Sequence, residues 1–169
     1  MLGLYEGFPR NVQIISHFTS SISDKSLQRA LLQICHELNT KTLGLEDVGS
    51  PSIPQCSVNF EFGIANGDSF SFLGNEETNK SLRAVNTQPL QIMDLLCLIR
   101  YYKTTQKGKT PLRFDHYMLR FVFDKNSANI QVFHERGPTH VLPDEIATFM
   151  TCKINEHFSK KILKLTNTS

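Results

Sequence analysis

The sequence lacks most of the short signatures that announce a chemistry. It has no Gly-x-Ser-x-Gly, no Gly-x-x-x-x-Gly-Lys, no Gly-x-Gly-x-x-Gly and no His-Glu-x-x-His, so the best-known catalytic classes have no support. Its four cysteines, Cys35, Cys56, Cys97 and Cys152, are scattered without a Cys-x-x-Cys pair. Structural zinc needs four ligands, usually brought together through such close spacings, so free thiols are expected, with no metal and no cofactor. Long hydrophobic runs are missing as well. The longest apolar stretch, Leu90 to Ile99, is interrupted by Asp94 and closed by Arg100, which is too short for a hydrocarbon layer of about 30 Å. The first ten residues carry Glu6 and lack a cationic stretch leading into an apolar one. No secretory leader or membrane contact is therefore expected, and the expected location is cytoplasmic.

Charge of one sign is locally absent in two places. Thr42 to Asn79 holds six acidic residues and no Lys or Arg, whereas Arg100 to Arg113 holds Arg100, Lys103, Lys107, Lys109 and Arg113 and no acid. The net charge of +2 is too small for general affinity to polyanions, but this partition predicts one mildly cationic surface.

What is present is the composition of a folded chain. At 169 residues, 40% hydrophobic and 20% charged, it is long enough to bury roughly two thirds of its unfolded surface and too apolar to stay disordered. One α+β domain over residues 1–169 is expected. Asn11 to Thr19 alternates as a strand, with Val12, Ile14 and Phe18 on one face. Ser23 and Asp24 open a helix whose stripe is Leu27, Ala30, Leu31, Ile34 and Leu38, ending near Asn39. Lys41 to Gln55, with Gly44, Gly49, Pro51 and Pro54, reads as a long and mobile loop. Ser57 to Ile64 and Ser69 to Leu73 form a hairpin, in which a three- or five-residue loop puts Phe62 and Ile64 on a common face with Phe70 and Phe72. Gly74 to Gln88 reads as a polar loop, and Pro89 to about Lys103 as a second helix that is apolar on nearly every side. Phe114 to Asp124 and Asn129 to Glu135 make a second hairpin, with Phe123 opposite Ile130. Pro143-Asp144-Glu145 opens a last helix carrying Ile146, Phe149, Met150, Ile154, Phe158 and Ile162. The order β-α-ββ-α-ββ-α then implies a mainly antiparallel sheet of about five strands with three helices. Two successive helix-plus-hairpin units suggest a duplicated α-β-β unit on architecture alone.

Two clusters carry candidate chemistry. His134, Glu135, Arg136 and His140 end the second hairpin, and Asp115-His116 lies near the opposite strand end. Two or more histidines, an acid and a guanidinium on one sheet edge are the parts of a metal-independent phosphodiesterase or ribonuclease-like site. The bland alternative makes His134 a hydrogen-bonded boundary residue and Glu135 and Arg136 a solvated ion pair. The second cluster, Arg100, Tyr101, Tyr102, Lys103, Lys107, Lys109 and Arg113, interleaves aromatic rings with cations, as a nucleic-acid or anion surface does. The same residues also suit the C-terminal end of a helix. The leading expectation is a non-enzymatic protein-interaction module, open to homodimerisation, because the second helix and the reverse face of the second hairpin carry more apolar surface than a two-layer fold hides.

Overall fold

The computed structural model describes residues 1–169 and is α+β: three helices against a mainly antiparallel sheet. The sheet has nine strands where about five are expected from the sequence. In chain order the elements are β1 (Ile14–Ser20), α1 (Asp24–Leu38), β2 (Thr42–Gly44), a 3-10 turn (Leu45–Asp47), β3 (Cys56–Asn66), β4 (Ser69–Phe72), α2 (Asn75–Thr87), β5 (Ile92–Thr105), β6 (Gly108–Pro111), β7 (Asp115–Asp124), β8 (Ser127–Arg136), α3 (Pro143–His157) and β9 (Leu163–Thr168). The strands run β2-β3-β5-β7-β8-β1-β9, with β4 added to β3 and β6 to β5. No helix is long and apolar enough to cross a membrane.

The largest departure from expectation is an exchange of helix and strand. The segment expected as the second helix is β5, held between β3 and β7. Met93, Leu95, Cys97, Ile99 and Tyr101 alternate onto the helix-covered face and are fully buried, while Leu96 and Leu98 point the other way and are half-buried. A central strand with both faces apolar has no visible period of two, so its run resembles that of an enclosed helix. The real helix is α2, in the expected loop. Its only buried residues are Thr78, Ser81 and Val85, too few to write an amphipathic stripe. It is placed by tertiary contact with α1: Arg29 Nη1 donates to Asn86 Oδ1 at 2.5 Å, and the buried Gln28 amide both donates to the Leu90 carbonyl at 2.6 Å and accepts the Leu90 N–H at 2.8 Å. With β5 in place of a helix, the expected duplicated α-β-β unit is absent, and β2, β6 and β9 lengthen the expected order.

Three local expectations also change. Lys41 to Gln55 is tied down by β2 on β3 and by buried Leu45 and Val48. Its far end is pinned from α3, where Glu145 accepts the N–H of Leu142 at 2.8 Å and of Ser50 at 2.6 Å. Burial alone would raise the Glu145 pKa, but these hydrogen bonds outweigh it and hold the group below its ordinary value of 4.5. A carboxylate with a depressed folded pKa stabilises above its unfolded pKa and loses that contribution as the pH falls through the folded value. Glu145→Gln is accordingly expected to lower the melting temperature at pH 7 by a few degrees and to converge with the parent protein once the pH falls below the folded pKa of Glu145; a gap that persists in acid would exclude this linkage. In the first hairpin, Asn66 pairs with Ser69 around Gly67 and Asp68, so Phe70 faces Ala65 and Phe72 faces Gly63. The phenylalanines thus lie on the face opposite Phe62 and Ile64, and Phe70 packs on Tyr5, with ring centroids 4.7 Å apart. In the second hairpin, Phe123 pairs with Ala128 rather than Ile130, which preserves the faces and moves the partners by two residues.

Helix α1 forms as expected, with Ser23 capping Ser26 N–H and Asn39 at its end. A single cluster of 37 buried residues joins α1, α3 and the inward side of the strands, with Phe60 stacked between Phe62 and Phe149 at 5.4 Å from each. The other side of the sheet carries no helix. Residues 1–8 cross its near end: Gly3 N–H donates to the Ala65 carbonyl, the Asp94 N–H donates to the Gly3 carbonyl, and Tyr5 N–H donates to Asp94 Oδ2 at 2.8 Å.

Candidate functional site

Strand alternation and a bulge in the second hairpin decide where the histidines go. Tyr117 lies opposite His134, and a bulge at Glu135 brings His116 opposite Arg136. Alternation then puts Asp115, Tyr117 and His134 on the helix-covered side, and His116 and Arg136 on the helix-free side. The candidate set is therefore divided by the sheet.

On the helix-covered side the centre is Asp115, fully buried. Its carboxylate accepts the Tyr101 hydroxyl at 2.6 Å, the Thr139 N–H at 2.7 Å, the His140 N–H at 2.9 Å and His134 Nε2 at 2.9 Å. The Tyr117 hydroxyl donates to the Val141 carbonyl, and the His134 and His140 rings stand edge-on to Tyr117 and Tyr101. Burial first, and the neighbouring Asp115 after it, push both tyrosine hydroxyls far above their ordinary range. They remain donors at every physiological pH. The loop that these bonds hold is strained: Thr139 has φ +60° and Gly137 φ +118°, and a β-branched residue in that region persists only where its surroundings fix it.

This arrangement secures a loop and does not assemble a nucleophile. Thr139 Oγ1 lies 3.3 Å from His134 Nε2 and 3.5 Å from Nδ1. A relay needs the carboxylate on one ring nitrogen and the hydroxyl on the other, yet here Nε2 is already bonded to Asp115 and the hydroxyl favours neither atom. His140 contributes its backbone N–H, with its ring against Tyr101. Tyr101 is likewise removed from the expected cationic surface, being fully buried.

On the helix-free side the remaining candidates meet. Arg100 and Arg136 both lie over Phe114, with guanidinium carbons 5.5 and 5.7 Å from the ring centroid. Arg100 Nε donates to Glu61 Oε1 at 2.7 Å, and its terminal amino groups make no hydrogen bond within the chain. Arg136 is exposed, makes no ion pair, and does not bond Glu135 as the bland reading expects. His116 sits in the same row as Leu98 and Arg136. Its Nε2 is buried without a partner, and burial lowers its pKa below 6.5, so the ring is neutral at pH 7. From this row β5, still paired with β3 as far as Lys103, runs on into the β5–β6 hairpin. The half-exposed Tyr102 pairs with Pro111 and Thr104 with Lys109, which puts Tyr102 and Lys109 on the Arg100 face, while Lys103, Lys107 and Arg113 are exposed around the hairpin.

Sequence reasoning missed Phe114 and Glu61 as members of these two clusters, and it placed Asp115 beside His116 without giving it a role. Asp115 was legible in principle, because it occupies a core-facing position of an otherwise apolar alternation. Compared with known proteins, the chain matches no family model, no curated protein and no solved structure.

Proposed function

We propose that the chain is a non-enzymatic module that binds single-stranded nucleic acid across the helix-free end of the sheet and along the β5–β6 hairpin. One observation carries this reading: Arg100 and Arg136, stacked over Phe114, open onto a hairpin whose fourteen residues from Arg100 to Arg113 hold five cations and no acid. Flat guanidinium groups and the half-exposed Tyr102 ring supply stacking surfaces, and the lysines supply phosphate contacts. Cleavage is the weaker reading because His116 and His134 lie on opposite sides of the sheet. Protein contact keeps one supporting feature, the half-buried Leu96, Leu98 and Phe133 beside Met118 on the same face. It loses the apolar helix that motivated it.

The test is fluorescence anisotropy with a labelled twelve-nucleotide oligo-dT or oligo-U at 50 to 300 mM salt. Affinity should fall with salt, with a log-log slope of roughly −0.7 per phosphate contact. The exposed-residue variants Lys109→Ala and Arg136→Ala should each weaken binding several-fold and flatten the slope by about one contact, with the melting temperature unchanged. Absence of binding at 50 mM salt, or an affinity indifferent to salt, overturns the proposal. A duplex that competes equally would exclude the single-strand specificity.

A further inference from the structure

The β9 edge of the sheet offers a second surface, independent of the one just described. Strand β9 pairs with β1 on one side only. At the opposite edge, β3 is shared by two short strands, β2 and β4. Proteins usually protect an open edge with proline, inward charge or a covering element. Here β9 has no proline, its one charge is Lys164, and Leu165 is 60% exposed. Beneath it a groove of about 320 Å³ runs between β9 and α3, lined by Ile14, Phe18, Ala147, Thr151, Cys152 and Leu165 among others.

Helix α3 and strand β9 run antiparallel. Asn155, in the last turns of α3, bonds the N–H groups of Ile162 and Leu163 at 3.0 and 2.9 Å, while Asp144, in its first turn, shares the groove with Thr168. Charge is partitioned along the same direction. Asp144 stands at one end, and Lys160, Lys161 and Lys164, all exposed, stand at the other.

We propose that β9 is the seam of a homodimer, pairing antiparallel with β9 of a second copy about a two-fold axis. An isologous contact of this kind makes each end of the seam meet the opposite end of the partner. The acidic first turn of α3 in one copy then faces the lysine end of the other, and the two helix dipoles oppose one another. The exposed Leu165 becomes enclosed, and the row of unpaired β9 amides and carbonyls gains partners. A parallel pairing, or a partner with a uniformly charged edge, would leave like charges together.

The experiment is sedimentation equilibrium of the full chain over about 1 to 500 μM. The expected result is a monomer–dimer equilibrium that Leu165→Asp shifts to monomer. Charge reversal at either end, Asp144→Lys or Lys160→Glu with Lys161→Glu, should weaken the dimer about tenfold, and combining both reversals should restore it. Circular dichroism and melting of each variant separate loss of the seam from loss of the fold. A strict monomer at the highest concentration overturns the proposal, as does a dimer that none of these changes affects. Oligonucleotide binding by Leu165→Asp should be retained, which keeps this result separate from the fate of the nucleic-acid surface.

Discussion

Replacing Asp115 with alanine is expected to remove about 3–5 kcal/mol of folding stability, the range found when one partner of a buried charged network is deleted. Four donors converge on this carboxylate at 2.6 to 2.9 Å. Hydrogen bonds to a charged group contribute about 1.5–3 kcal/mol each in favourable cases, but the larger effect is what remains behind. The Tyr101 hydroxyl and two backbone N–H groups would be buried with no acceptor, and the positive-φ turn at Thr139 would lose the contact that holds it. Urea denaturation should show the midpoint falling with little change of slope, and hydrogen exchange should show residues 137–141 opening first. Asp115→Asn keeps one acceptor oxygen and should cost less. If the pair of Asp115 and His134 were instead catalytic machinery on a tolerant scaffold, Asp115→Ala would leave the melting temperature nearly unchanged, and that outcome would sink the structural assignment. Gly137→Ala is expected to fail in the same place, because a Cβ there would overlap the Phe114 carbonyl oxygen and Asp115 Oδ1.

How much of this was legible follows from how many partners each segment needs. Helix α1 could be read residue by residue, because its cap, acidic first turn and apolar stripe are all local. Strand β3 could be read because only one of its faces is apolar over Val58, Phe60 and Phe62. Strand β5 could not: its identity depends on β3 and β7, which flank it, and a strand covered on both faces has the composition of a buried helix. Asp94 was the one local clue. A fully buried carboxylate inside Leu90 to Ile99 requires a dedicated partner, and strand alternation sends it to the face opposite Leu95. For the site, the sequence places the right residue types near one another, but strand alternation and one bulge at Glu135 decide which side of the sheet each side chain faces, and the two-residue register shift changes only which residues pair. No single-sequence pattern fixes that register while both candidate pairings bury the same face.

The same carboxylate gives the second large effect. Asp94 is fully buried on the helix-free side, accepts Arg120 Nε at 2.7 Å and Nη2 at 2.8 Å, and accepts the Tyr5 N–H at 2.8 Å. Arg120 in turn lies under the Phe8 ring, 4.2 Å from its centroid. The N-terminal segment is therefore clamped by one ion pair at two points, Tyr5 through the acid and Phe8 through the base. Asp94→Ala should again cost about 3–5 kcal/mol, since it strands a guanidinium that is only 21% exposed. Its signature differs from that of Asp115→Ala: amide exchange should accelerate at Gly3, Tyr5 and Glu6, whose N–H groups bond β3, Asp94 and the turn after β3, while residues 137–141 stay protected. A double variant, Asp94→Leu with Arg120→Met, removes both charges together and should recover much of the loss, because well-packed apolar pairs commonly equal or exceed buried ion pairs in stability. If the double variant is as unstable as Asp94→Ala, the Tyr5 hydrogen bond rather than the stranded charge is the dominant contribution. If Asp94→Ala costs less than about 1 kcal/mol, the clamp is not what holds residues 1–8 to the sheet.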